Sequence, residues 1–262
     1  MKTASLSFAA FVRRALGVGA ALGCFAGGAW AQDASVLITS FSYTTTDGTT
    51  LSWFNPDTAF YANAQNGGGL FGADTDSFDN GDYDFAIAGV NLSNAQAAVS
   101  TTTQQTFWAT ASSTRSSNPD GTPLNQATGN AFQSGDFSLS GPGTVTFIID
   151  YTLGVAKPGG SALTDSASAT LDFSAFSPNR VSGGSQSDQL FSFDQLSGIA
   201  SKSGEFTVNV SLLEDQVGSY TLEGTAQSFA VAAVPEPQEW ALMAAGLVVL
   251  TGIARRRSAR RS

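Results

Sequence analysis

Between Gln32 and Ala233 the chain alternates apolar and polar residues in short runs separated by Gly-rich punctuation. The clearest run starts at Glu205. Phe206, Val208, Val210 and Leu212 fall on one face, and Glu205, Thr207, Asn209 and Ser211 on the other, the period-two pattern of a half-buried strand. Similar runs predict strands over 36–46, 84–90, 105–111, 137–140, 166–173, 190–193 and 219–231. The stretch 144–155 is more continuously apolar and reads as a strand buried on both sides. Turns are expected at 65–69, 141–143 and 158–160, where Gly and Pro cluster. No long amphipathic helix pattern appears in this middle part; 92–98 suits at most a short helical turn. Many short strands joined by Gly-rich turns predict an all-β fold, an antiparallel β-sandwich of jelly-roll-like type. No fixed period repeats, which disfavours a solenoid.

The two ends follow other patterns. Lys2, Arg13 and Arg14 precede an apolar, small-residue stretch that closes on Ala29-Trp30-Ala31 before the polar Gln32-Asp33. That order is a secretory signal peptide over 1–31, with signal peptidase cutting after Ala31 and the mature chain beginning at Gln32. Two other export routes fit less well. Cys24 lacks the leucine three residues earlier that lipoprotein processing uses, and the residues around Arg13-Arg14 are poor for twin-arginine export. At the other end, Val234, Pro235, Glu236 and Pro237 lead to Trp240, an apolar segment to Ala254, and Arg255-Arg256-Arg257. The prolines hold their segment extended, Trp240 suits a membrane interface, and the arginines belong on the cytoplasmic side. Trp240 to Ala254 is 15 residues, about 22 Å of helix against a hydrocarbon core of about 30 Å. It is a short transmembrane helix suited to temporary anchoring.

Charge follows the same division. The chain has 262 residues, 21 acidic and 12 basic, no histidine and one cysteine. Nineteen of the acids and only four of the bases lie between Asp33 and Glu223, so that stretch carries −15 while both ends are basic. The acidic middle argues against nucleic acid, which needs clustered Lys and Arg. Without histidine there is no Ser-His-Asp triad and no His-ligated zinc, and a chain cut after Ala31 has no cysteine at all. Three parts are expected: the signal peptide 1–31, a β-sandwich ectodomain 32–233, and a sorting segment 234–262.

The C-terminal 29 residues resemble the PEP-CTERM sorting signal of Gram-negative bacteria, a module also labelled an ice-binding protein C-terminal domain. The resemblance rests on Pro-Glu-Pro, the nearby Trp-Ala-Leu-Met, Gly246-Leu247 and the terminal arginines, in that order and spacing. It implies recognition by an exosortase, a membrane-embedded cysteine protease or transpeptidase acting at or near Pro235-Glu236-Pro237, and a destination at the cell surface or in a biofilm or exopolysaccharide matrix. The order of 137–147 followed by 166–173 also resembles other PEP-CTERM ectodomains. An ordinary tail anchor would explain the helix and arginines but not the Pro-Glu-Pro.

Candidate chemistry in the ectodomain is sparse, and no residue is singled out as catalytic. Asp74, Asp76, Asp79, Asp82 and Asp84 form the densest acidic run, with Asn80-Gly81 inside it. Oxygen ligands on a Gly-containing loop suit calcium, though the spacing is not that of an EF-hand and a solvated acidic loop explains the run as well. Asp136, Asp150, Asp172, Glu205 and Glu223 are available for a hydrolase needing two carboxylates across a cleft. Phe41, Tyr43, Trp53, Phe54, Phe60, Tyr61, Phe107 and Trp108 could line a sugar-binding face or build the core. The threonine runs 44–50 and 101–103 suggest ice binding or glycosylation, but polar strand edges account for them too. Three functions stand in order: a structural or interaction protein of the matrix, a carbohydrate-binding module, and a polysaccharide hydrolase.

Overall fold

The computed structural model describes residues 31–66, 73–80, 87–92, 94–103, 106–114, 124–157, 165–192 and 198–231, with backbone alone for 66, 73–80 and 102–103. The chain divides into two compact units, Met1–Ala232 and Ala233–Ser262, and every described residue belongs to the first. Twelve strands are described: β1 (Ala31–Thr45), β2 (Leu51–Asn66), β3 (Ala73–Asn80), β4 (Ile87–Asn91), β5 (Ala95–Thr103), β6 (Thr106–Thr114), β7 (Leu124–Leu139), β8 (Gly143–Lys157), β9 (Ser166–Phe176), β10 (Gly183–Phe191), β11 (Gly198–Leu212) and β12 (Val217–Val231). They form two antiparallel sheets of six. The front sheet runs β11-β8-β1-β6-β5-β4 and the back sheet β10-β9-β12-β7-β2-β3. The fold is an all-β antiparallel sandwich.

Register fixes which strand ends share an end of the sandwich. β1 closes beside the start of β8 (Thr45↔Val145), and β7 closes beside the start of β2 (Leu51↔Leu139). At the opposite end β1 opens beside Thr114, and β12 finishes beside Leu124. The chain therefore enters and leaves the sandwich at one end, here the entry end. Asp165, itself buried, accepts the amide N–H of Val231 at 2.9 Å and pins the exit.

The described residues of the alternating runs at 36–46, 105–111, 166–173, 205–212 and 219–231 lie in strands, apart from Thr46, which follows β1. Three local expectations change. Residues 95–98, read as part of a helical turn, belong to strand β5, whose alternation Ala95, Ala97, Val99 faces the core. The run 137–140 is only the tail of β7, sixteen residues whose odd positions are all buried. β8 is buried on one face only as far as Thr152, and on both faces only from Leu153 to Lys157. β2 and β3, which no strand expectation covered, pair along the outer edge of the back sheet.

The core is graded along its length. Toward the far end Phe41, Trp53, Phe137, Phe147, Phe173 and Tyr220 pack ring on ring, with centroids 5.0 to 6.3 Å apart. Toward the entry end the facing residues are alanines: Ala34, Ala109 and Ala111 in front, Ala62, Ala127 and Ala226 behind. Small side chains let the sheets approach. A Cβ on Gly129 would sit 2.8 Å from the Thr110 carbonyl oxygen of the opposite sheet. Only glycine fits where backbone meets backbone.

The open side of the sandwich, where β10 and β11 meet, is clasped by side chains. The Gln186 amide donates to the Thr207 carbonyl (3.1 Å) and accepts the Thr207 N–H (2.8 Å), standing in for a missing strand. Ser182 Oγ accepts the Ser211 N–H at 2.8 Å. Edge groups satisfied in this way are closed to pairing with other chains.

Candidate functional site

The residues predicted to carry sorting and processing lie mostly beyond the described part. Val234, Pro235, Glu236, Pro237, Trp240, Arg255, Arg256 and Arg257 are outside the described residues, as is Ala29. Ala31 and Gln32 open β1, paired with Thr114 and Ser113, and both are buried. Cleavage after Ala31 would place the new α-amino group in the ladder opposite Ser113. Among the described residues no helix is long and apolar enough to cross a membrane.

Of the acidic run, Asp82 and Asp84 lie outside the described residues. Asp74, Asp76 and Asp79 are not on a loop: they belong to β3, in register with Ala64, Ala62 and Ala59 of β2. A strand advances about 3.4 Å per residue, so Asp74 and Asp79 stand roughly 17 Å apart along it. The backbone does not wrap these two positions around one ion.

The five scattered carboxylates resolve into two cross-strand pairs and a structural acceptor. Asp150 is opposite Glu205 in the front sheet, and Asp172 opposite Glu223 in the back sheet. Like charges directly opposite are mildly destabilising, and these sit on outward strand faces with neutral partners: Thr207 donates to Glu205 and Asn130 to Glu223. Asp136 accepts the Asn55 side-chain amide at 2.8 Å, holding a bulge residue with φ of 50°.

The aromatic candidates separate as cleanly. Phe41, Trp53, Phe60 and Phe107 pack inward, and Tyr43 leans on Trp53 at 5.9 Å. Trp108 does not join them. It follows the buried Phe107, so strand alternation turns it to the outer face of the front sheet, half-buried.

Around Trp108 the registers assemble three rows across the sheet. One wall is Ile87, Ser100, Trp108 and Leu37, read strand to strand from β4 to β1. The next row is Gly89, Ala98, Thr110, Ser35 and Gly154, all small. The far wall is Asn91, Gln96, Ser112 and Asp33. Rows on one face are two residues, about 7 Å, apart, and strands about 4.8 Å apart, so the result is a shallow trough running across the strands. Its deeper part is a cavity of about 240 Å³ between the small row and the Asp33 wall, with no lysine or arginine among the described residues of its lining.

Asp33 is the unusual group. It is 7 % exposed and lines the cavity, and its Oδ1 has no hydrogen-bond partner among the described residues. Burial raises its carboxyl above the ordinary value, and a hydrogen bond with Ser112 opposes that shift. A second carboxylate behaves in the opposite way. Asp188 on β10 takes the Tyr151 hydroxyl at 2.5 Å and the Lys202 ammonium. Burial pushes it up too, but the bonds from Lys202, Tyr151 and the Gln189 N–H, with the Lys202 charge, outweigh this and hold it below its ordinary value. Burial and the Asp188 hydrogen bond push the Tyr151 hydroxyl well above its ordinary value. Asp188 is satisfied, whereas Asp33 is not.

Sequence reasoning placed Trp108 among the aromatics but could not reach Asp33 as a site residue. Asp33 follows the cleavage pattern and reads there as the polar start of a mature chain. Its partners come from four other strands, so only register brings them together. Comparisons with family models, with curated proteins and with solved structures each return no match.

Proposed function

We propose that this is an exported surface or extracellular-matrix protein that an exosortase sorts through its C-terminal Pro-Glu-Pro segment, its sandwich serving as a structural or interaction body in a biofilm or exopolysaccharide matrix. The observation that carries this reading is the ordered C-terminal series: Val234-Pro235-Glu236-Pro237, then Trp240, an apolar stretch, and Arg255-Arg256-Arg257. Within the described body, Val231 leaves the sandwich at the end where Ala31 enters. The signal peptide delivers the chain across the inner membrane, and the short helix holds it there until sorting. A jelly-roll-like topology is supported by the strand path, which crosses between sheets from β1 to β2, β3 to β4, β6 to β7, β7 to β8, β8 to β9, β10 to β11 and β11 to β12.

Mass spectrometry of the protein recovered from outside the cell tests the sorting step. The expected product begins at Gln32 and ends between Pro235 and Glu239, without Trp240 or the arginines. An intact C-terminus on the outside protein overturns the proposal.

A further inference from the structure

The outer trough of the front sheet has the features of a binding site for a chain of defined chemistry. Its small-residue row would be featureless by itself, but Asp33 gives it a direction. A carboxylate buried to 7 % exposure with a free Oδ1 is costly unless a donor reaches it, and buried charges are ordinarily paired. No lysine or arginine is among the described residues of the cavity lining, so a cation on Oδ1 comes from elsewhere, either the α-ammonium of Gln32 in a chain cut after Ala31 or a ligand. The opposite wall is apolar at Ile87, Trp108 and Leu37, with the buried Ser100 between the first two and Ile87 58 % exposed. The Asp33 wall carries hydroxyls and amides from Ser112, Gln96 and Asn91. A sugar ring matches such a surface, with apolar CH faces for an aromatic and hydroxyls for the polar wall. The stretch from Asp33 to Glu223 carries −15, which repels uronate and phosphate polymers and favours a cationic chain.

We propose that this trough binds an extended glycan bearing free amino groups, lying across the strands with an ammonium on Asp33 and a ring face on Trp108. The raised carboxyl of Asp33 agrees with this, since an arriving ammonium restores the favourable partner that burial removed. The inference deepens the matrix role proposed above and rests on it for the partner's presence, not for the site. An intact C-terminus on the outside protein would remove the sorting step and leave the binding result standing.

Calorimetry on the exported protein, with hexamers of glucosamine, glucose and a uronic acid at one ionic strength, tests it. The glucosamine hexamer should bind saturably, the glucose hexamer about tenfold more weakly, and the uronate not at all, the spread of one charge-assisted hydrogen bond. Asp33→Asn should abolish the preference for the amino sugar without lowering the melting temperature. Trp108→Ala should weaken both sugars by about tenfold, in the range of an aromatic contact. Tyr61→Ala, an exposed ring in the back sheet, should change neither. No saturable binding of the glucosamine hexamer overturns the proposal. So does equal or tighter binding of the uronate, or an undiminished amino preference in Asp33→Asn.

Discussion

The two ends of the sandwich solve one packing problem with opposite materials. Toward the far end six aromatic rings fill the space between sheets, with Phe137 and Phe147 edge-on at 5.0 Å. Toward the entry end alanine and glycine let the sheets close until Gly129 lies against the carbonyls of Thr110 and Ala98. The far end is held by area: each ring buries a large apolar surface and its loss opens a large hole. The entry end is held by proximity, and it tolerates deletion better than addition. Buried polar groups follow the same gradient only in part. Gln32, Ser113, Asn125, Asp165 and Ser228 are buried near the entry end, while Thr58 and Gln133 are buried opposite one another midway along the back sheet.

The contrast breaks if the largest deletion is cheap. Phe147 is fully buried and touches the rings of Phe41, Trp53, Phe137 and Phe173. Phe147→Ala should lower stability by about 3–5 kcal/mol, the usual cost of a large core cavity. Urea denaturation checks this, and a loss below about 1 kcal/mol would mean that the ring cluster is loosely packed.

Addition is the sharper test of the entry end. Gly129→Ala inserts one methyl where two carbonyl oxygens stand within 3.2 Å, and backbone cannot swing aside as a side chain can. About 1–3 kcal/mol should be lost, against the small gain that Gly→Ala brings in an open strand. Gly184 is the matching control, since a Cβ there meets only a Val208 methyl at 3.8 Å, and Gly184→Ala should be near neutral. Equal losses at the two positions would refute the close approach of the sheets.

The gradient explains which strands could be read from sequence. β11 and β12 alternate Phe, Val, Leu or Tyr with polar residues, and their pattern is plain at 205–212 and 219–231. β2, the first half of β7, and β5 alternate alanine and glycine with polar residues, as in Ala62 and Ala64 or Ala127 and Gly129. Alanine has low β-propensity and weak hydrophobicity, so the same period carries little signal. These strands are defined by what faces them. The candidate site was legible only as parts: Trp108 as an aromatic, and Asp33 as a polar residue after a cleavage pattern. Neither the outward turn of Trp108 nor the five-strand row of small residues exists without the registers.

The smallest expected effect contrasts the two carboxylates. Asp33 has a raised carboxyl, so its contribution to stability is fully present below the ordinary value of 3.8 and is lost as pH rises through its folded value. Asp188 has a lowered one, so its contribution is present above 3.8 and is lost as pH falls through its folded value. Asp33→Asn should therefore raise stability at neutral pH by about 1 kcal/mol, the scale of an unmade buried hydrogen bond, and gain nothing below pH 3.8. Lys202→Ala should act on the other side of that pH. It removes a half-exposed ammonium, so the loss at neutral pH should stay under about 1 kcal/mol and shrink as acid protonates Asp188. Melting curves of both variants from pH 3 to 8 read the two slopes together. If Asp33→Asn were neutral at every pH, Asp33 would already have a donor in the folded protein, and its role as the open end of the trough would fall with it.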